Sequence, residues 1–330
     1  MRRRNFVKSG LLLFAPAATV RTGKAATAGK SGSSRVLLAR DSSYTKIGAA
    51  PDEKAAGEML GRLIRELTGA PDLAGGWRKI LGSCRTVGLK PNCLAGAGVS
   101  SSPAFVHALC RQLIDSLPSL NKIIIWERSD SDLRRAGFEI VTSSKVLCFG
   151  NDRSGFTRDL VLDNSIGSLF SQTVAETCDA LINLPVFKDH GIVGVSVGLK
   201  NYYGAVNNPN KYHLNRGDPY VADLNAIKLI RDKNVLTLCE GFTAQYEGGP
   251  PFKPQWSWPA GLLLASTDPV ALDRVAWRMI EEKRKEKGLP NLAEAGREPS
   301  YILTAGDSAH KLGLADLTRI EEVRLGGQQS

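Results

Sequence analysis

Two lysines, a histidine and an asparagine fall within one glycine-rich run, KDHGIVGVSVGLKNYYG, from Lys188 to Gly204. Lys188 and His190 are two residues apart, so in an extended segment both side chains leave the same face. An ammonium beside an imidazole that titrates near neutrality suits proton transfer next to a bound negative group. Lys200 and Asn201 add a cation and an amide with two donor hydrogens, equipment for holding a carboxylate or phosphate. The glycines at 191, 194, 198 and 204 are too frequent for a core helix, where each costs roughly 1 kcal/mol relative to alanine. They predict close approach of backbone to a partner, with helix-on-sheet packing as the alternative.

Further candidates stand where predicted strands end. Lys90 and Asn92 close the run TVGLKPN, and Glu240 closes VLTLCE; Glu247 follows in a long loop, and His213 lies in the polar loop 207–218. Asp268 precedes Pro269, with Asp273 one turn further on. Open α/β sheets bind ligands beyond the carboxyl ends of their strands. Lys90, Asn92, Lys188, His190, Lys200, Asn201, Glu240 and Asp268 are therefore expected to line one pocket as exposed cleft residues. Within it, His190, Lys188 and Glu240 form the catalytic set, with Glu247 as an alternative acid or base. Lys90, Asn92, Lys200, Asn201, His213, Glu247, Asp268 and Asp273 form the ligand-binding set, for a small anionic ligand. Asp268 also fits a helix N-cap, and Asp273 suits pairing with a base or the helix dipole. A metal bridging His190, Glu240 and Asp268 requires those three to meet in space; the sequence specifies neither a metal nor an organic cofactor.

The elements that must position these residues alternate. Strands are expected at RVLLAR (35–40), at 86–92, at KIIIW (122–126), at 146–149 and 160–162, through the apolar run 180–186, at 235–240 and at 260–265. Helices are expected at 53–67, 102–116, 168–178, 218–231 and 268–287, and a helix and strand near the end. Strand–helix–strand spacing predicts an α/β fold, a largely parallel sheet flanked by helices, as one domain over 29–330.

The 330 residues carry a formal charge of +10, but Arg2, Arg3, Arg4, Lys8, Arg21 and Lys24 lie within residues 1–28, which hold no acidic residue. Without those six the charge is +4, too mild to predict a nucleic-acid partner. The stretch Arg3-Arg4-Asn5-Phe6-Val7-Lys8 resembles a twin-arginine export signal. The apolar segment after it, Leu11 to Val20, is interrupted by Pro16 and is shorter than the roughly 20 residues a membrane span requires. Residues 1–28 thus read as a cleavable leader ending at Ala26-Thr27-Ala28, with the export machinery as a partner, a periplasmic or otherwise exported location, and no stable membrane anchor. Six cysteines, at 84, 93, 110, 148, 178 and 239, include no C-x-x-C pair, which removes the main support for zinc or iron–sulfur ligation. No H-E-x-x-H, P-loop or dinucleotide fingerprint is present.

Five strings, VGLKPN (87–92), LPVFKDHGIVGVSVGLKNYYG (184–204), CEGFTAQYEGGP (239–250), STDPVALD (266–273) and HKLGLAD (310–316), together resemble the domain of unknown function 362 family over about residues 35 to 325. The resemblance implies an α/β protein from a group with exported and iron–sulfur-associated members. Some members carry a ferredoxin-type C-x-x-C-x-x-C segment, which this sequence lacks. Three functions are consistent with these features: an exported enzyme using acid–base or metal-assisted chemistry on a small anion, a non-catalytic receptor for a small anion or cofactor, and a redox or cofactor accessory protein.

Overall fold

A computed structural model describes residues 32–326, so the leader at 1–28 lies outside the described residues. The strands are β1 (Ser34–Arg40), β2 (Thr86–Pro91), β3 (Lys122–Glu127), β4 (Val146–Gly150), β5 (Val161–Asp163), β6 (Ile166–Ser168), β7 (Ala180–Leu184), β8 (Val186–His190), β9 (Gly194–Ser196), β10 (Asn234–Gln245), β11 (Ser257–Ser266) and β12 (Ile320–Leu325). Their order in the main sheet is β12-β1-β11-β10-β7-β2-β3-β4, with β8 pairing with both β10 and β9. The neighbours β10, β7, β2, β3 and β4 are mutually parallel. β11 is antiparallel to both β10 and β1, because β10 turns back into it without the helical crossover that a parallel return needs. The outcome is the expected single α/β domain with a mostly parallel sheet.

The strands read as near-continuous apolar runs because both faces of the sheet are covered. Alternate residues of one strand enter opposite cores: Leu37 and Ala39 of β1 join Leu60, Leu63 and Leu109, whereas Val36 and Leu38 join Val275 and Ile280. The first core is roofed by helices Glu53–Thr68, Leu73–Leu81 and Pro103–Ser116, the second by helix Pro269–Glu286 among others. Caps set three of these starts. Asp52, Ser102 and Asp268 accept from the backbone N–H of Ala55, Phe105 and Ala271, each satisfying an otherwise orphaned donor.

Two expected helices change. Residues 168–178 hold only the last residue of β6 and one turn of π-helix, Thr173–Thr177, because Phe170 bridges Val206 and Ser171 bridges Phe156. Those ladder contacts use backbone groups that a helix would need. Residues 218–231 break into Tyr220–Ala226 and Lys228–Arg231, with Ile227 extended between them.

Candidate functional site

Pro185 divides the apolar run into β7 and β8, and its carbonyl accepts from Glu240 N at 2.8 Å. The extended β8 then sends alternate side chains to opposite sides. Asp189 turns to Arg297, 2.7 Å away. His190 lines a cavity of about 410 Å³ near the carboxyl ends of β2, β3 and β8, and Lys188, on the same side of the strand, lies behind its wall. Asn92, Glu127, Arg128, His190, Ser196, Lys200, Asn201, Tyr203 and His213 contribute to its wall.

Beneath that wall runs a relay of amides. Lys188 Nζ donates to Asn92 Oδ1 (3.3 Å) and Pro250 O (3.3 Å), and Asn92 Nδ2 donates to Asn201 Oδ1 (3.1 Å). Asn201 Nδ2 donates to Asn183 Oδ1 (2.8 Å) and Lys90 O (3.0 Å), and Asn183 Nδ2 donates to Gly198 O (2.7 Å). Each amide is oriented by its neighbour, so the floor is rigid and largely self-satisfied. Lys90 sits one layer lower, its ammonium paired with Glu127 and donating to Pro91 O at 2.7 Å.

Lys200 comes from the short helix Gly198–Asn201, whose start is held by Asp273: its carboxylate accepts from Gly198 N (2.7 Å) and Leu199 N (3.0 Å). A Cβ on Gly198 would fall 2.8 Å from Asp273 Oδ1, and one on Gly204 would fall 2.7 Å from Lys90 Cε. The close approach that these glycines allow is therefore to the protein's own side chains, and packing accounts for them. The Lys200 ammonium lies 3.7 Å from the centroid of the Tyr203 ring and, among the described residues, has no hydrogen-bond acceptor. Burial, and then the charge of Lys188, lower its pKa to about 7. Lys188 itself is lowered by burial to about 8, against the opposing pull of Asp189.

His190 behaves differently from a free imidazole. Its Nδ1 accepts from Ile192 N (3.1 Å) and Val193 N (3.4 Å), which places the ring proton on Nε2. Burial and the nearby Lys200, His213 and Lys188 hold its pKa far below the usual value. The ring is thus neutral and offers Nε2–H as a donor. His213 stacks on it with centroids 5.6 Å apart and planes at 28°. The expected exposed cleft residues are in fact enclosed: Lys188 is 0% and His190 4% exposed.

The expected single pocket divides. Asn92, His190, Lys200, Asn201 and His213 reach the cavity, and Lys188 and Lys90 support its wall. Glu240 faces a separate cavity of about 170 Å³, where it accepts from Ser102 N at 2.8 Å and burial raises its pKa to about 7. Glu247 is bound by Arg284 and Arg297. Asp268 caps its helix and accepts from Ser34 Oγ and from Leu314 N at 2.9 Å, joining the two ends of the described chain. Asp273 is spent on the backbone of 198–199, its pKa raised by burial to about 7. Among the described residues no three His, Cys, Asp or Glu side chains cluster as metal ligands, so the His190–Glu240–Asp268 bridge does not form. All six cysteines are buried and free.

Sequence reasoning passed over Asn183, Glu127 and Tyr203. An asparagine inside the apolar run ALINL and a glutamate closing KIIIWE were the available signals, since a polar group in a buried strand needs a dedicated partner.

Residues 87–278 match the family described as Domain of unknown function (DUF362). This chain belongs to that family. The match contains every candidate site residue and is narrower than the span 35–325, leaving β1, helices Glu53–Thr68 and Leu73–Leu81, and the segment with HKLGLAD outside. No match is found among curated proteins. Among solved structures, the DUF362 chain is similar to a Thermotoga maritima protein determined by the Northeast Structural Genomics Consortium, with 13% identity and a TM-score of 0.43. That similarity covers 73% of this chain and 60% of the other, so this chain spans less than two thirds of its neighbour's length.

Proposed function

We propose that this DUF362 chain is an exported enzyme that takes a small anionic substrate into the 410 Å³ cavity and moves a proton through Lys200. The carrying observation is the Lys200 amine, buried in the cavity wall and lacking an oxygen acceptor among the described residues. A carboxylate or phosphate oxygen would supply the missing partner as a charge-assisted hydrogen bond. With a pKa brought to about 7, Lys200 exchanges a proton at neutral pH, which suits general acid–base work. In this reading His190 donates its Nε2–H to orient the substrate, and proton transfer passes to Lys200. Lys188 keeps the local field positive and the Lys200 pKa low. Export rests on the Arg3-Arg4 pattern.

A receptor that binds the same anion without turnover is favoured by one observation: the amides of the floor are already committed to one another. Both readings are tested by incubating purified chain with a panel of small carboxylates and phosphates while following binding by calorimetry and conversion by mass spectrometry. Binding with turnover, both lost in Lys200→Met, is expected. Binding without turnover selects the receptor, and undiminished binding by Lys200→Met overturns both.

A further inference from the structure

The cavity is larger and less polar than a lone anion needs. At ~30 Å³ per water, about 410 Å³ corresponds to roughly a dozen waters, and a carboxylate at Lys200 occupies only a fraction of that. Leu94 and Ile192 also line it, and they are 46% and 51% exposed. Large apolar side chains left in water are ordinary when scattered but carry meaning when they share a site. Here two line one cavity together with Pro209 and Pro250. Leu214, 69% exposed, directly follows the cavity residue His213. The polar end is distinct: Lys200 and the Nε2–H of His190 lie in the enclosed part, as their 7% and 4% exposure shows.

We infer that the ligand is an amphiphile, a carboxylate or similar anionic head held at Lys200 and His190 with an apolar extension of several carbons lying across Leu94 and Ile192 to the mouth. This rests on the anion reading above and narrows its substrate class. Burial of each methylene against the rim removes apolar surface from water, so affinity should climb with chain length until the tail passes the rim. The side chains that contact the tail are already solvent-exposed, so their replacement leaves the core intact.

The test is a ligand-observed NMR titration of the purified chain with acetate, butanoate, hexanoate and octanoate, at a pH below the Lys200 pKa. Affinity is expected to rise about fourfold per methylene. In the double variant Leu94→Ser/Ile192→Ser the rise should flatten while acetate affinity stays unchanged, and circular dichroism should match the parent. Lys200→Met should weaken every member by a similar factor. Binding of acetate with no gain along the series overturns the amphiphile inference and leaves the anion reading standing. A chain-length gain that persists in the double variant also overturns it, since the tail then lies elsewhere. Failure of all four acids to bind overturns this inference, whereas the anion reading falls only if the wider panel of carboxylates and phosphates also fails to bind.

Discussion

Lys200 Nζ lies 3.7 Å from the centroid of the Tyr203 ring, and that aromatic face stands where an oxygen acceptor would normally be. The ring's quadrupole offsets part of the desolvation of the ammonium, but it accepts no conventional hydrogen bond from the amine. The arrangement trades stability for a site that an anion can complete.

Replacing Lys200 by Met keeps the length of the side chain and removes its charge. Unfolding by urea should show a gain of roughly 1–3 kcal/mol, the scale for relieving a buried polar group without a full complement of hydrogen bonds. Affinity for an anionic ligand should fall at least about tenfold, the loss of one charge-assisted hydrogen bond. A destabilised variant with normal affinity would mark Lys200 as structural.

Stability should vary with pH in two opposed windows. Lys188 and Lys200 titrate near 8 and 7 in the folded chain, below an ordinary lysine, so between those values and about 10 the unfolded chain binds more protons and stability rises with pH. Glu240 and Asp273 titrate near 7, above ordinary carboxylates. From about pH 4 to 7 these two carboxyls bind more protons in the folded chain, so their contribution falls as pH rises, against the opposite contribution of His190, which stays neutral in the folded chain. Urea midpoints across the range should show Glu240→Gln flattening the acidic fall and Lys200→Met flattening the alkaline rise. Parental slopes in both variants would contradict these assignments.

Arg297 is 6% exposed and joins Asp189 of β8 to Glu247. Arg297→Ala leaves the Asp189 carboxylate buried without its cation and should destabilise by about 3–5 kcal/mol. Glu247→Gln should lower the melting temperature while leaving anion affinity unchanged, because Glu247 serves the two arginines and not the cavity. A selective loss of affinity in Glu247→Gln would return it to the site.

Arg3→Lys with Arg4→Lys should trap precursor in the cytoplasm, measured by fractionation and immunoblotting of cells expressing the full chain. Undiminished export of the double variant would remove the twin-arginine reading.

Local physics was legible in the sequence. The near-continuous apolar strands, the cap at Asp268, and the shared face of Lys188 and His190 all follow from periodicities and hydrogen bonds that act within a few residues. The mostly parallel sheet followed from strand and helix spacing. The helix expected at 168–178 failed where distant backbone competed, as Val206 does for Phe170. The site needed the tertiary structure. Lys188 meets Asn92 across 96 residues and Asn92 meets Asn201 across 109, separations over which spacing says nothing. Glu240 and Asp268 end strands or cap helices as expected, yet the sheet directs one to another cavity and the helix keeps the other for its own N-terminus. Residue type alone made His190 the group that titrates near neutrality and Lys200 the permanent cation. Enclosure reversed them, because exclusion of water and the charges gathered around a side chain set its pKa, and only the folded chain decides which charges those are.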